Sequence, residues 1–279
     1  MPPALRDLAE VLQWHPLARL AWRAGGDAAR FLRDERPLLL EVESKSTPTD
    51  SVTAMDRGSE LLIRAAILSE RPDDAILGEE GGERTGSTGV RWVIDPLDGT
   101  VNYVHRLPLW GVSIAVEEQG MASVGVVVTP VLDEAYIAVR GQGAWRVRGA
   151  RAERIHVSDC RVLDRALVAT GFDYDAGRRA EQGAVAGRLV AEVADLRRSG
   201  SAVVDLCWLA SGQVDAYFER GLNPWDLAAG ALIAHEAGAV VTGLTAEAPD
   251  GVVVASAPGI ASQFRRSLRR LHEGLSPGA

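Results

Sequence analysis

Cysteine is nearly missing from this chain. Among 279 residues only Cys160 and Cys207 are cysteines, far apart and without paired spacing. That excludes a disulfide framework and fits two free thiols in a reducing compartment. Histidine is sparse as well: His15, His105, His156, His235 and His272 are scattered and read as structural or solvated residues rather than ligands. No apolar run approaches the ~20 residues a membrane helix needs. The opening MPPALRDLAEVLQWHP mixes acids and bases with apolar residues and lacks a signal-peptide core. The expectation is a cytoplasmic protein. Positive charge is also short, for the formal net charge is −8. That argues against nonspecific nucleic-acid binding and gives no attraction to anionic membranes. An anionic substrate would be repelled at long range, so a site for one requires local positive charge such as metal ions. There are no repeats, low-complexity tracts or linkers. The remaining composition, 47% hydrophobic and 24% charged, is that of an ordinary globular chain, large enough for one domain or two packed halves.

The pattern along the chain predicts alternating α and β layers. Helical periodicity covers 4–14 and 17–35, interrupted by Pro16 and stopped by Pro37, and 38–42 reads as a strand. Thr49, Asp50 and Ser51 are N-cap candidates for a helix running to about Ser69. A short strand at 75–78 leads into Glu79-Glu80-Gly81-Gly82 and a glycine- and serine-rich stretch, either a solvated loop or a flap over a site. Strands follow at 92–94, 110–117, 122–129 and 134–139, with more strand-like material in 145–157 and at 166–171. Residues 178–195 read as a helix, 202–210 as another, and 214–219 as a strand. Asn223-Pro224-Trp225-Asp226 opens a helix that Gly238 ends. Strands near 239–242 and 251–256 and a helix from 259 complete the chain.

The informative stretch is RWVIDPLDGTVNYV, residues 91–104. An apolar, β-favouring run stops abruptly at Asp95-Pro96, and Asp98-Gly99 adds a second turn signal. Two carboxylates at the end of a buried strand must neutralise, pair or bind a cation. The Thr100 hydroxyl and Asn102 amide nearby suit a hydrated hard metal. Alone, the stretch is equally a polar turn. Other acids at ends of apolar elements, Glu79 and Asp226, with Asp56 and Glu80 nearby, favour the metal. Asp56 and Asp226 also fit as acids at positive helix ends, and Lys45 as an ordinary surface lysine. Oxygen ligands without histidine or cysteine favour Mg²⁺. A shared carboxylate could hold two metals roughly 3.5–4 Å apart, as in in-line phosphoryl displacement. Other chemistries fit worse. Asp95 and Asp98 are separated by two residues rather than the one of a haloacid-dehalogenase-type phosphatase. Neither cysteine has an arginine at cysteine-phosphatase spacing, and no Walker A loop, serine-hydrolase elbow or paired-histidine zinc motif occurs.

GEE at 78–80, WVIDPLDGTVNY at 92–103 and WDLAAGALIAHEAG at 225–238 resemble the signatures of the inositol monophosphatase family. KSTPTDSVTAMD at 45–56 and RRSGSAVVDL at 197–206 resemble its remaining blocks, and the likeness spans roughly residues 17–270. It implies one α/β domain over 1–279, a layered αβαβα sandwich with halves at about 1–150 and 151–279. The chain would be a homodimer that hydrolyses a phosphorylated polyol with two to three Mg²⁺ and is lithium-sensitive. Carried over by position, Glu79, Asp95 and the Leu97 carbonyl would hold a first metal; Asp95, Asp98 and Asp226 would hold a second; Glu79 would help with a third. Thr100 and Asp56 resemble the pair that orients and deprotonates the attacking water, assisted by Glu79. Gly99 and Thr100 would offer N–H groups to phosphate, and Gly200, Ser201, Ala202 and Glu219 would face the polyol. Glu219 tilts the substrate toward inositol 1-phosphate, with histidinol phosphate and fructose 1,6-bisphosphate as alternatives. Some bacterial members act as partners of the transcription machinery, the non-catalytic alternative. Tyr103, Arg106 and Asn223-Pro224 depart from the family pattern, and Tyr103 and Arg106 are expected near the mouth of the site.

Overall fold

The computed structural model describes Ala9, Leu12 and residues 15–44, 51–249 and 251–274. Its helices are α1 (Pro16–Asp34), α2 (Ala54–Glu70), α3 (Thr100–Val104), α4 (Ala176–Leu189), α5 (Ala202–Ala210), α6 (Pro224–Glu236) and α7 (Ala261–Glu273). Its strands are β1 (Val42–Ser44), β2 (Ser51–Thr53), β3 (Ala75–Gly78), β4 (Gly82–Arg84), β5 (Val90–Asp98), β6 (Gly111–Glu118), β7 (Met121–Thr129), β8 (Glu134–Val139), β9 (Gly143–Arg148), β10 (Arg151–Arg154), β11 (Leu167–Thr170), β12 (Asp195–Arg197), β13 (Ala216–Arg220), β14 (Val240–Gly243) and β15 (Val252–Ser256).

Two sheets carry the architecture. The larger has the order β10-β9-β8-β7-β6-β5-β3-β4 and is antiparallel except where β3 runs parallel to β5. The smaller has the order β12-β11-β13-β15-β14. The apolar run of β5 lacks a polar face because both of its faces are covered. Trp92 and Ile94 pack with α1 and α2, whereas Val93 packs with residues of α5 and α6. α1 lays a stripe of small residues, Ala18, Ala21, Ala24, Gly25, Ala28 and Ala29, against the sheet. Its two glycines therefore do not interrupt it. On the opposite face Gly125 lets α6 close in, since a Cβ there would lie 2.7 Å from the Ala229 carbonyl oxygen. α4 and α7 cover the far side of the smaller sheet with Val185, Leu189, Phe264 and Leu268. The layers run α, β, α, β, α, as expected.

Several local expectations change. No strand forms at 38–42. Leu38 and Leu39 are almost fully exposed, and pairing begins at Val42, where β2 supplies the partner. Because 51–53 pair as β2, the α2 cap moves to Thr53, whose side chain and that of Asp56 form a reciprocal capping box. The helix expected at 4–14 lies largely outside the described residues, as do Lys45, Thr49 and Asp50. The stretch after Glu79 is anchored rather than a free flap. β4 pairs with β3, and buried Glu60 accepts the Glu80 and Gly81 N–H groups at 2.7 and 2.9 Å.

Asp74 is a buried junction the sequence did not mark. Its carboxylate accepts hydrogen bonds from Arg71, Thr88 and the Trp92 indole. Burial alone would raise its pKa, yet these donors hold it below the usual carboxylate value. We expect Asp74→Ala to cost roughly 2–4 kcal/mol, because it strands a buried indole N–H and an arginine. A folded pKa below the unfolded one means the stabilisation is present above the unfolded value. It is lost as the pH falls through the folded value. Urea unfolding at pH 7 and below about pH 4 will show the gap between wild type and variant shrinking in acid; a constant gap would refute this.

Candidate active site

The site begins where β5 loses its register. Pro96 cannot donate to a ladder, and pairing with β6 shifts between Asp95 and Asp98. Asp95 folds back to accept the Leu97 N–H at 3.0 Å, while the Ser59 hydroxyl ties down the Pro96 carbonyl at 2.9 Å. Gly99, at φ 88°, then turns the chain into α3; a Cβ there would sit 2.9 Å from the Leu109 carbonyl oxygen. The shift delivers both aspartates to one cavity.

Two helix starts meet them. At α5, Asp98 accepts the Ser201 hydroxyl at 2.5 Å and the Val203 N–H at 2.9 Å. At α6, Asp226 occupies the third position and accepts the Asn223 N–H at 2.7 Å. The dipole reading of Asp226 is thus correct and incomplete. Carboxylate oxygens of Asp95, Asp98 and Asp226 lie within 4.8 Å of one another. Glu79 lines the same cavity, positioned by β3 and by its own N–H on the Ile94 carbonyl.

The electrostatics are costly. Removal from water, then the charges of Glu79, Asp98 and Asp226, push Asp95 well above the usual carboxylate range. Asp226 is raised in the same way by burial and by Asp98. Asp98 also rises on burial, against the opposing bonds from Ser201 and Val203. Such a cluster either holds protons or holds cations. An all-oxygen donor set on a rigid strand end and two helix starts fits a hard divalent ion such as Mg²⁺.

Behind the acids, the Thr100 hydroxyl lies 2.9 Å from Asp56 Oδ1 and 3.0 Å from the Leu97 carbonyl oxygen. The second Asp56 oxygen accepts from the Thr53 N–H and hydroxyl. Asp56 therefore caps α2 and holds Thr100 at once. The cavity, about 530 Å³, is lined by Glu79, Asp95, Leu97, Asp98, Gly99, Thr100, Gly200, Ser201, Ala202, Glu219 and Asp226. Every residue carried over by the resemblance as metal-holding, catalytic or substrate-facing lines it except Asp56, which stands behind Thr100. Burial pushes the Glu219 carboxyl up to about 7, against a bond from the Tyr217 hydroxyl at 2.7 Å.

Other expectations fail. The Asn102 amide does not line the cavity; it donates to the Leu109 and Ser199 carbonyls and clamps α3 to the loop before α5. Glu80 is also outside the lining. Tyr103 and Arg106 are not at the mouth. Tyr103 is fully buried, donates to the Leu32 carbonyl and meets Trp110 edge-on. Arg106 reaches the Leu38 carbonyl. Sequence reasoning also missed Arg198 and Asp205, which line the cavity. Both lie inside RRSGSAVVDL, and Asp205 is one helical turn beyond Ser201, a spacing that places them on one face.

The family model described as the inositol monophosphatase family matches residues 13–277. An inositol-1-monophosphatase of Mycobacterium leprae is 43% identical, the match covering 85% of this chain and 84% of that one. The Nus factor SuhB of Escherichia coli is 42% identical over 83% of this chain and 86% of its own. The crystal structure of the extragenic suppressor protein suhB from Bartonella henselae superposes with a TM-score of 0.84 at 34% identity, covering 91% of this chain and 99% of that one. With the αβαβα layering and the acid cluster already in place, these likenesses make the chain a member of the inositol monophosphatase family, whose members are metal-dependent phosphatases acting on phosphorylated substrates.

Proposed function

We propose that this protein hydrolyses inositol 1-phosphate to inositol and phosphate with Mg²⁺. The carrying observation is the convergence of Asp95, Asp98 and Asp226 beside Glu79 in one cavity. In this reading Glu79, Asp95 and the Leu97 carbonyl hold one ion, Asp95, Asp98 and Asp226 a second, and Glu79 assists a third. What the ions supply when bound is neutralisation of phosphoryl charge and acidification of water. The chain supplies the rest. Thr100 and Asp56 orient the attacking water and take its proton, their hydrogen bond providing the path, with Glu79 assisting. The N–H groups of Gly99 and Thr100 receive phosphate oxygens, with the left-handed Gly99 opening the approach. Gly200, Ser201, Ala202 and Glu219 receive the polyol.

Histidinol phosphate and fructose 1,6-bisphosphate are the alternative substrates. Relatives named Nus factor SuhB supply a second reading, a partner of the transcription machinery; the full set of acids favours catalysis. We further propose a homodimer formed of one domain per chain. No helix among the described residues is long and apolar enough to cross a membrane.

Purified protein assayed for phosphate release should turn over inositol 1-phosphate with Mg²⁺ and stop when a chelator removes it. The metal should also raise the thermal midpoint, since an ion bound only by the folded state stabilises it by mass action. Failure to release phosphate from all three substrates in Mg²⁺ would overturn the reading.

A further inference from the structure

Glu60 is a buried acid outside the cavity lining, yet the turn that carries Glu79 is built around it. It lies one helical turn after Asp56 on α2 and is only 2% exposed. Its Oε2 accepts the Glu80 N–H at 2.7 Å and its Oε1 the Gly81 N–H at 2.9 Å. Arg64, a further turn along, donates to Oε1 at 2.6 Å and also reaches the Gly82 carbonyl. Gly78 and Gly81 flank Glu79-Glu80, and neither has a positive φ. Space, not backbone conformation, is what glycine supplies there. A Cβ at Gly78 would fall 2.2 Å from Glu60 Oε1, and one at Gly81 2.6 Å from the same oxygen.

Turn N–H groups near the surface are ordinarily satisfied by water, so a buried carboxylate devoted to two of them does more than help β3 pair with β4. Glu79 is also held from its other side. Its own N–H donates to the carbonyl of Ile94 at 3.2 Å, one residue before Asp95. After burial, the charge of Glu79 is the strongest influence raising Asp95, so the two carboxylates stand close. Like charges held close repel, and an untethered turn would let Glu79 swing away. Asp56, Ser59 and Glu60 share one face of α2. Asp56 holds Thr100, Ser59 holds the Pro96 carbonyl, and Glu60 holds the turn after Glu79.

We propose that Glu60 is a positioning residue for the metal site, fixing the backbone around Glu79 so that its carboxylate stands beside Asp95 before an ion arrives. Glu60 itself touches neither ion nor substrate. With the turn already ordered, less freedom is lost when the ion binds. The inference rests on the Mg²⁺-dependent reading above and deepens it.

The test follows the thermal midpoint as Mg²⁺ is titrated in the absence of substrate. Glu60→Gln keeps the side chain's shape but cannot accept from both N–H groups while pairing with Arg64. It should raise the Mg²⁺ concentration that gives half the full rise by about tenfold. Gly81→Ala alters no acid but crowds the Glu60 carboxylate, and should shift that concentration in the same direction. In a Glu79→Gln background, adding Glu60→Gln should move it less than about twofold, because the residue through which it acts is already gone. A purely structural Glu60 would lower the metal-free midpoint and leave half-saturation at the wild-type concentration in both variants, which would overturn the assignment. So would a full tenfold shift in the Glu79→Gln background. If Glu60→Gln does not fold, Gly81→Ala, alone and combined with Glu79→Gln, decides the question. If Mg²⁺ stabilises wild type and the variants at the same concentration, this inference fails alone; if it does not stabilise wild type, the metal reading fails with it.

Discussion

Asp95→Asn will lower phosphate release by roughly a thousandfold or more, and the protein will remain folded. Asp95 is buried among Glu79, Asp98 and Asp226, whose charges all oppose its own. An amide of the same shape keeps an oxygen for the Leu97 N–H, so the turn that presents Asp98 and Thr100 persists. What disappears is one negative charge at the centre of the cluster. Two effects of opposite sign follow. Without metal the variant should unfold at the same temperature as wild type or higher, because like-charge repulsion is relieved. In Mg²⁺ its thermal midpoint should rise less than that of wild type, because a shared ligand is gone. Thermal unfolding with and without Mg²⁺, beside a phosphate-release assay, separates this from simple unfolding. Unchanged turnover would count against the metal assignment.

Thr100→Val should lower kcat by about a hundred- to a thousandfold, leaving KM and the Mg²⁺-induced rise in thermal midpoint close to wild type. The hydroxyl has one proton and two acceptors in reach, Asp56 Oδ1 and the Leu97 carbonyl. It can therefore pass a proton toward Asp56 while remaining oriented. Valine keeps the β-branched shape at the start of α3 but cannot carry a proton. Asp56 stays satisfied by two donors from Thr53, so α2 keeps its cap. Single-turnover and steady-state kinetics would check this; a variant with wild-type kcat would remove Thr100 from the proton path.

Legibility in the sequence tracked how local the cause was. The strand at 92–94, which the structure extends to Val90–Asp98, and the helices at 202 and 224 were readable because apolar runs, turn residues and caps lie within a few positions of one another. The strand expected at 38–42 failed because pairing requires a distant edge. Leu38 and Leu39 have β-favouring neighbours but no partner strand. Asp56 and Asp226 could not be assigned from local signals, since each really does cap a helix and the second task appears only when the layers assemble. Gathering the acids at element ends brought in Asp226, whereas the role expected of Asp56 came from family resemblance. Asn102 and Tyr103, adjacent to the acids in sequence, turn out to bind backbone carbonyls elsewhere. Nearness along the chain was a poor guide there.

The clustered acids and Glu219 are anchored on different sheets. Asp95 and Asp98 end β5 of the larger sheet, whereas Glu219 belongs to β13 of the smaller one, with α5 between them. On the proposed roles, drift in the smaller sheet and its loops would retune which alcohol is accepted while the acids at the end of β5 stay in place. A single hydrolytic centre of this kind would serve many cargoes, each set by the other sheet.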